Sequence, residues 1–172
     1  MELSEDVYEA LSSDTRLRED VRSWWRWRNQ KEKSVEDCFP ELFLEFPEFR
    51  SVVQYRFRVA GRDFSSLPSL RMTNDLYLST DDIGGGLRVQ HGHSTWVLAE
   101  RIGCDFHVNQ NVTIGVHRGK KPIIGDRVKI HAGAVVVGGV TIGDDVVIAP
   151  NAFVNFDVPS GKKVFPARSV IV

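Results

Sequence analysis

RIGCDFHVNQNVTIG (residues 101–115) and IIGDRVKIHAGAVVVGGVTIGDDVVIAPNAFV (residues 123–154) carry an aliphatic residue at every sixth position. Ile102, Val108 and Ile114 form the first run, and Ile124, Ile130, Val136, Ile142, Ile148 and Val154 the second. Apolar or small residues recur four positions later, at Phe106, Val112, Val128, Ala134, Val140, Val146, Ala152 and Val158. Glycine follows the aliphatic at Gly103, Gly115, Gly125 and Gly143. A period of six fits neither an amphipathic helix nor a simple alternating strand. It fits a solenoid whose short strands turn a corner every six residues, a parallel β-helix of hexapeptide repeats.

Working outward, the period breaks twice. Ile83 and Val89 are six apart, and the register then slips by one residue across HSTWVLAER before Ile102. Ile114 and Ile124 stand ten apart, and the four extra residues fall in VHRGKKP, a polar, basic, glycine-containing segment that reads as a loop over residues 115–122. Residues 1–74 read as a helical region, 75–161 as the solenoid and 162–172 as a tail. Ser4 with Glu5 and Asp6 is a plausible first helix cap. Leu17, Val21, Trp24 and Trp25 keep helical spacing. Ser34 and Asp37 resemble a capping box, but Pro40 is expected to end that helix quickly. Pro47 opens another helix, with Phe49, Val52, Val53 and Phe57 on one face and Gly61 as its stop. The helices are placed to cap the top of the solenoid, and its flat faces suit self-association.

Composition excludes several classes. The 172 residues carry a formal net charge of −1, so nothing global attracts nucleic acid. Two cysteines, Cys38 and Cys104, are too few for a disulfide framework and read as unreactive thiols in a reducing compartment. The acidic N-terminus is no signal peptide, and no apolar run approaches the ~20 residues that span a bilayer. A cytoplasmic protein without membrane or nucleic-acid partners is expected. SWWRWR (23–28) resembles an aromatic and basic recognition stripe, but Glu19, Asp20 and Glu32 dilute its charge; a helix packing Trp24 and Trp25 on the cap is the plainer reading.

Three segments give the solenoid a resemblance: I-G-G-G-L-R-V-Q-H (83–91), N-V-T-I-G within Asn109–Gly115, and P-A-R (166–168). Together they resemble the hexapeptide-repeat acyltransferases, and within them serine acetyltransferase, over roughly residues 74–168. The resemblance implies a left-handed prism, a homotrimer with active sites between subunits, and acetyl-CoA as co-substrate with no metal. By motif position it implies His91 as the base that takes a proton from the acceptor hydroxyl. Such a base is worth about 10²–10⁴ in rate. The family's supporting carboxylate maps nearest to Asp75, one residue out of its usual spacing; Asp81, Asp82 and Glu100 remain alternatives. His93 is the competing base or a substrate contact.

The chain departs from the family in two places. Gln90 stands where an Asp often precedes the histidine, and Lys121 stands where a second histidine precedes the proline after the loop. Lys121, with His117 earlier in the loop, is expected to meet the acceptor. For the coenzyme, the small residues Gly115, Ala132, Gly133 and Gly138 are candidates for the pantetheine groove, and Lys162, Lys163 and Arg168 for the 3′-phospho-ADP group. His107 and His131 read as solvated corner residues. The expected activity is acetyl transfer to a small hydroxyl acceptor, L-serine first. The alternatives are a sugar or polysaccharide-precursor hydroxyl, an amino group served by the same base, and a non-catalytic scaffold. Zinc chemistry of the γ-carbonic anhydrase kind lacks its histidine spacing here.

Overall fold

The computed structural model describes residues 4–28, 31, 33–65 and 67–167. Four helices come first: α1 (Glu5–Ser13), α2 (Thr15–Arg28), α3 (Val35–Glu45) and α4 (Pro47–Val59). Thirteen short strands follow: β1 (Leu76–Leu78), β2 (Arg88–Gln90), β3 (Thr95–Val97), β4 (Arg101–Ile102), β5 (His107–Asn109), β6 (Thr113–Gly115), β7 (Ile123–Ile124), β8 (Lys129–Ile130), β9 (Val135–Val137), β10 (Thr141–Ile142), β11 (Val147–Ile148), β12 (Phe153–Val154) and β13 (Lys163–Val164). They pair in parallel into three sheets, in the orders β1-β3-β6-β9-β12, β4-β7-β10 and β2-β5-β8-β11-β13. The chain visits the sheets in rotation, giving a solenoid of about five turns. We call these sheets faces A, B and C.

The six-residue aliphatics are the inward columns. Val97, Ile114, Val136 and Val154 stack on face A, Ile102, Ile124 and Ile142 on face B, and Val89, Val108, Ile130 and Ile148 on face C, all buried. The second apolar set fills the corners from within. At the B/C corner, Gly86, Asp105, Arg127, Asp145 and Gly161 all have positive φ; at the C/A corner, Asp75, Ser94, Asn111, Gly133 and Asn151 do. Side chains tie successive coils together at the B/C corner. Asp126 accepts from the Cys104 amide and Asp144 from the Asp126 amide, each at 2.8 Å. Gly103 precedes this ladder because a Cβ there would lie 2.7 Å from the backbone of Gly125, closer than stacked coils permit.

The top of a solenoid exposes unpaired backbone groups. Here helical side chains satisfy them. Arg58 donates to the Leu78 carbonyl on face A. Arg56 donates to the Ile83 and Gly84 carbonyls on face B. On face C, Asp20 accepts from the Leu87 amide and Trp24 Nε1 donates to the Leu87 carbonyl. Asp20 and Arg56 also pair with each other, fully buried, at 2.7 and 3.1 Å.

Two local expectations change. The helix capped by Ser34 does not stop at Pro40 but runs on to Glu45. An internal proline costs about 3 kcal/mol, and burial of Phe39, Leu42 and Phe43 on the same helix, at about 1.5–3 kcal/mol each, outweighs it. Ser4 precedes α1 as expected, but its hydroxyl makes no cap hydrogen bond. Asp14 does that work for α2, accepting from the Arg16 and Leu17 amides. Trp24 and Trp25 are buried, and Arg28 pairs with Glu41 and Glu45. Among the described residues, no helix is long and apolar enough to cross a membrane.

Candidate active site

The slip in the six-residue period is a bulge that carries His91. Gln90 pairs with Asn109, and Trp96 with Thr113, so the first coil holds two more residues between those points than the next. One residue is lost again between Val97 and Ile102, which leaves the net slip of one seen in the sequence. The two added residues are His91 and Gly92, both with positive φ, 63° and 38°. His93 then rejoins the coil, its carbonyl accepting from the Asn111 amide. His91 is therefore exposed at the C/A corner on a backbone that few non-glycine residues adopt. Gly92 is buried beneath it, where a Cβ would lie 2.7 Å from Val89 Cγ1 and 3.3 Å from Thr73 Cγ2.

Asp75 stands at this same corner: its carbonyl accepts from the Thr95 amide, and its carboxylate makes no hydrogen bond among the described residues. The other candidate carboxylates sit elsewhere. Asp82 is paired with Arg16 and Asp81 with Arg58, and Glu100 lies at the A/B corner, its amide bonded to the Pro122 carbonyl. His93 is exposed beside His91.

The basic loop leaves the A/B corner as a tight hairpin. His117 and Lys120 exchange backbone hydrogen bonds at 3.1 and 3.2 Å, and Arg118 and Gly119 between them have φ of 51° and 73°. Two positive φ values suit this turn to a right-twisted hairpin. His117 packs over Gly138, and Lys120 over Gly139. Lys121 is exposed beside Glu100.

The candidate residues thus fall into three groups. His91, His93, Asp75, Ala132 and Gly133 share the C/A corner; His117, Lys121, Gly115 and Gly138 share the A/B corner; Lys162 and Lys163 lie at the open bottom, on and beside β13. Arg168 lies outside the described residues. Within one chain, face A separates the first two groups. Its outward column exposes Tyr77, Trp96 and Phe153, with Tyr77 and Trp96 stacked at 4.8 Å.

A polar ladder behind His91 was not legible as a motif. Gln90, Asn109 and His131 stand in register on β2, β5 and just after β8. Asn109 Nδ2 donates to Gln90 Oε1 at 3.4 Å, and His131 Nδ1 lies 3.2 Å from Asn109 Oδ1. Beside it His107 is not a solvated corner histidine but is 8% exposed. Burial, the Arg88 guanidinium and His131 push its pKa down to about 3, so its ring is neutral. Arg88 Nη2 lies 3.1 Å from His107 Nδ1, and since the guanidinium only donates, Nδ1 accepts and Nε2 carries the proton.

The bacterial transferase hexapeptide pattern (six repeats) matches residues 121–155. A serine acetyltransferase of Helicobacter pylori strain J99 is 40% identical over 144 residues, which are 75% of this chain and 83% of that one. A second, from Staphylococcus xylosus, is 44% identical over 84 residues, 45% of this chain and 38% of that one. Among solved structures, the Neisseria gonorrhoeae serine acetyltransferase superposes with a TM-score of 0.68 at 23% identity, over 95% of this chain and 70% of that one. Entamoeba histolytica serine acetyltransferase 1, in complex with L-cysteine, gives 0.64 at 22%, over 93% and 66%. These two likenesses show the shared fold. The H. pylori relative, matched along most of its length, shows the family: this chain belongs to the serine acetyltransferases, within the hexapeptide-repeat acyltransferases.

Proposed function

We propose that the chain transfers an acetyl group from acetyl-CoA to the hydroxyl of L-serine, with His91 as general base. The observation that carries the base assignment is the bulge, whose two added residues leave an exposed imidazole at the C/A corner. An alcohol is a weak nucleophile at neutral pH. His91 would take its proton as the oxygen attacks the thioester carbonyl; the tetrahedral intermediate then collapses, expelling the coenzyme A thiolate, which is protonated by the imidazolium. Asp75, at the same corner, is proposed as the carboxylate that stabilises that imidazolium. The acetyl donor follows from the family, and the narrow, small-residue surfaces at Ala132 and Gly133, and at Gly115 and Gly138, suit a pantetheine arm. Lys162, Lys163 and Arg168 remain its proposed phosphate contacts.

The site is proposed to lie between copies in a homotrimer. Packing of the apolar column of face A between copies would bring the His117–Lys121 hairpin of one chain toward the His91 corner of the next. His93, His117 and Lys121 would then surround the acceptor, Lys121 serving its carboxylate as a point charge. The enzyme is proposed to work in the cytoplasm. A second reading, a different hydroxyl acceptor, rests on Gln90: a neutral amide held by Asn109 offers an acceptor's ammonium no charge. The test is thiol release from acetyl-CoA with serine, homoserine and several sugars, for the wild type and Lys121→His. Serine turnover above the other acceptors is expected. Sugar turnover without serine turnover in either protein would move the assignment to the second reading.

A further inference from the structure

Face C carries a notch of about 360 Å³ that the acetyl-transfer reading does not use. It lies below α2, and its charged lining is Arg88, Arg127 and Lys129 against Asp105 and Asp145. Asp145 is already committed, gripping Arg127 at 2.8 and 2.9 Å. Lys129 is exposed and makes no hydrogen bond or ion pair among the described residues. Arg88 is held rigidly, stacked 5.8 Å over Trp27 and bonded to His107 Nδ1. Two donors in the notch wall have no acceptor: Arg88 Nε and His107 Nε2 are both buried and unpartnered. Buried donors left without an acceptor destabilise the fold, so an acceptor supplied by a ligand is favoured here. The wall thus offers donors in excess, and its half-buried guanidinium faces Asp105 without a hydrogen bond to it.

We infer that this notch is a binding site for a small tetrahedral oxyanion, a phosphate or sulfate group, separate from the acetyl-transfer corner. Arg88 supplies the preorganised planar donor, Lys129 the mobile point charge, and the neutral His107 an N–H. The notch has room for the oxyanion, and its charged lining rather than its size selects one. Arg88 opens the strand that ends at Gln90, next to His91, so an anion here would stiffen the strand leading to the proposed base.

The test is calorimetric titration of the full-length protein with inorganic phosphate, and separately with sulfate, at low ionic strength. Saturable binding is expected in the wild type, with the dissociation constant raised about tenfold or more in Lys129→Gln. Arg88→Gln should weaken it as much, checked by a thermal melt for intact folding. His91→Ala and Lys162→Gln/Lys163→Gln should bind as the wild type. Absence of saturable binding, or a Lys129→Gln protein that binds unchanged, overturns the inference. Displacement of phosphate by coenzyme A overturns the separate site and makes the notch part of the coenzyme's own. Because binding is read without turnover, the outcome is independent of the acceptor.

Discussion

His107 shows what burial does to one side chain. In the unfolded chain its imidazole gains a proton below about 6.5, whereas the folded protein resists protonation until about pH 3. The unfolded state therefore binds more protons between these values, and stability falls as pH drops through that window, by about 1.4 kcal/mol per unit from this group alone. Above about 6.5 both states are neutral and the contribution is flat. Denaturant melts from pH 7 to 4 should show a shallower loss in His107→Gln than in the wild type; equal slopes would contradict the buried, neutral assignment. Cys38 gives a second prediction of this kind. Burial pushes its thiol up to about 11, while Cys104 is exposed. Iodoacetamide under native conditions should modify Cys104 and spare Cys38, as peptide mass mapping would report.

At the scale of elements, the cap and the bulge are the two devices that matter. The Asp20–Arg56 pair joins α2 to α4 and both to the first coil. Asp20→Ala would strand a buried guanidinium and the Leu87 amide, and should destabilise by about 3–5 kcal/mol in equilibrium unfolding. A loss under about 1 kcal/mol would show that the cap does not depend on it. None of this was legible beforehand, because residues 36 apart or more meet without any periodic signal. The solenoid was legible, since each inward position repeats the same chemical demand every six residues. The bulge was half legible: two residues gained at His91–Gly92 and one lost after Val97 show only as a slip of one. The hairpin was visible as four surplus residues, though not its two positive φ values. Pro40 misled because local propensity carries no knowledge of the phenylalanines that anchor its helix.

For the whole molecule, the exposed aromatic column of face A is the strongest sign of assembly, at 47% exposure for Tyr77 and 48% for Trp96. In the proposed homotrimer, Trp96→Glu should yield monomers in analytical ultracentrifugation and lower activity with it; a fully assembled variant would place the interface elsewhere. If the site is shared between copies, mixing inactive His91→Ala chains with inactive hairpin variants, by unfolding and refolding together, should restore part of the activity. The sequence pointed to the loop as a break in the period and to His91 by its place in the family motif, while the slip shows across residues 93–101, just past the bulge at His91 and Gly92. It gave no sign that one chain holds them at different corners, because that separation depends on how many strands lie between them.

The most direct test of the account is acceptor-dependent thiol release from acetyl-CoA by the wild type and by a correctly folded His91→Ala. Base catalysis at the bulge predicts kcat lowered by about a hundredfold or more, with acetyl-CoA binding retained. A variant that keeps wild-type kcat would contradict the assignment of His91 as base.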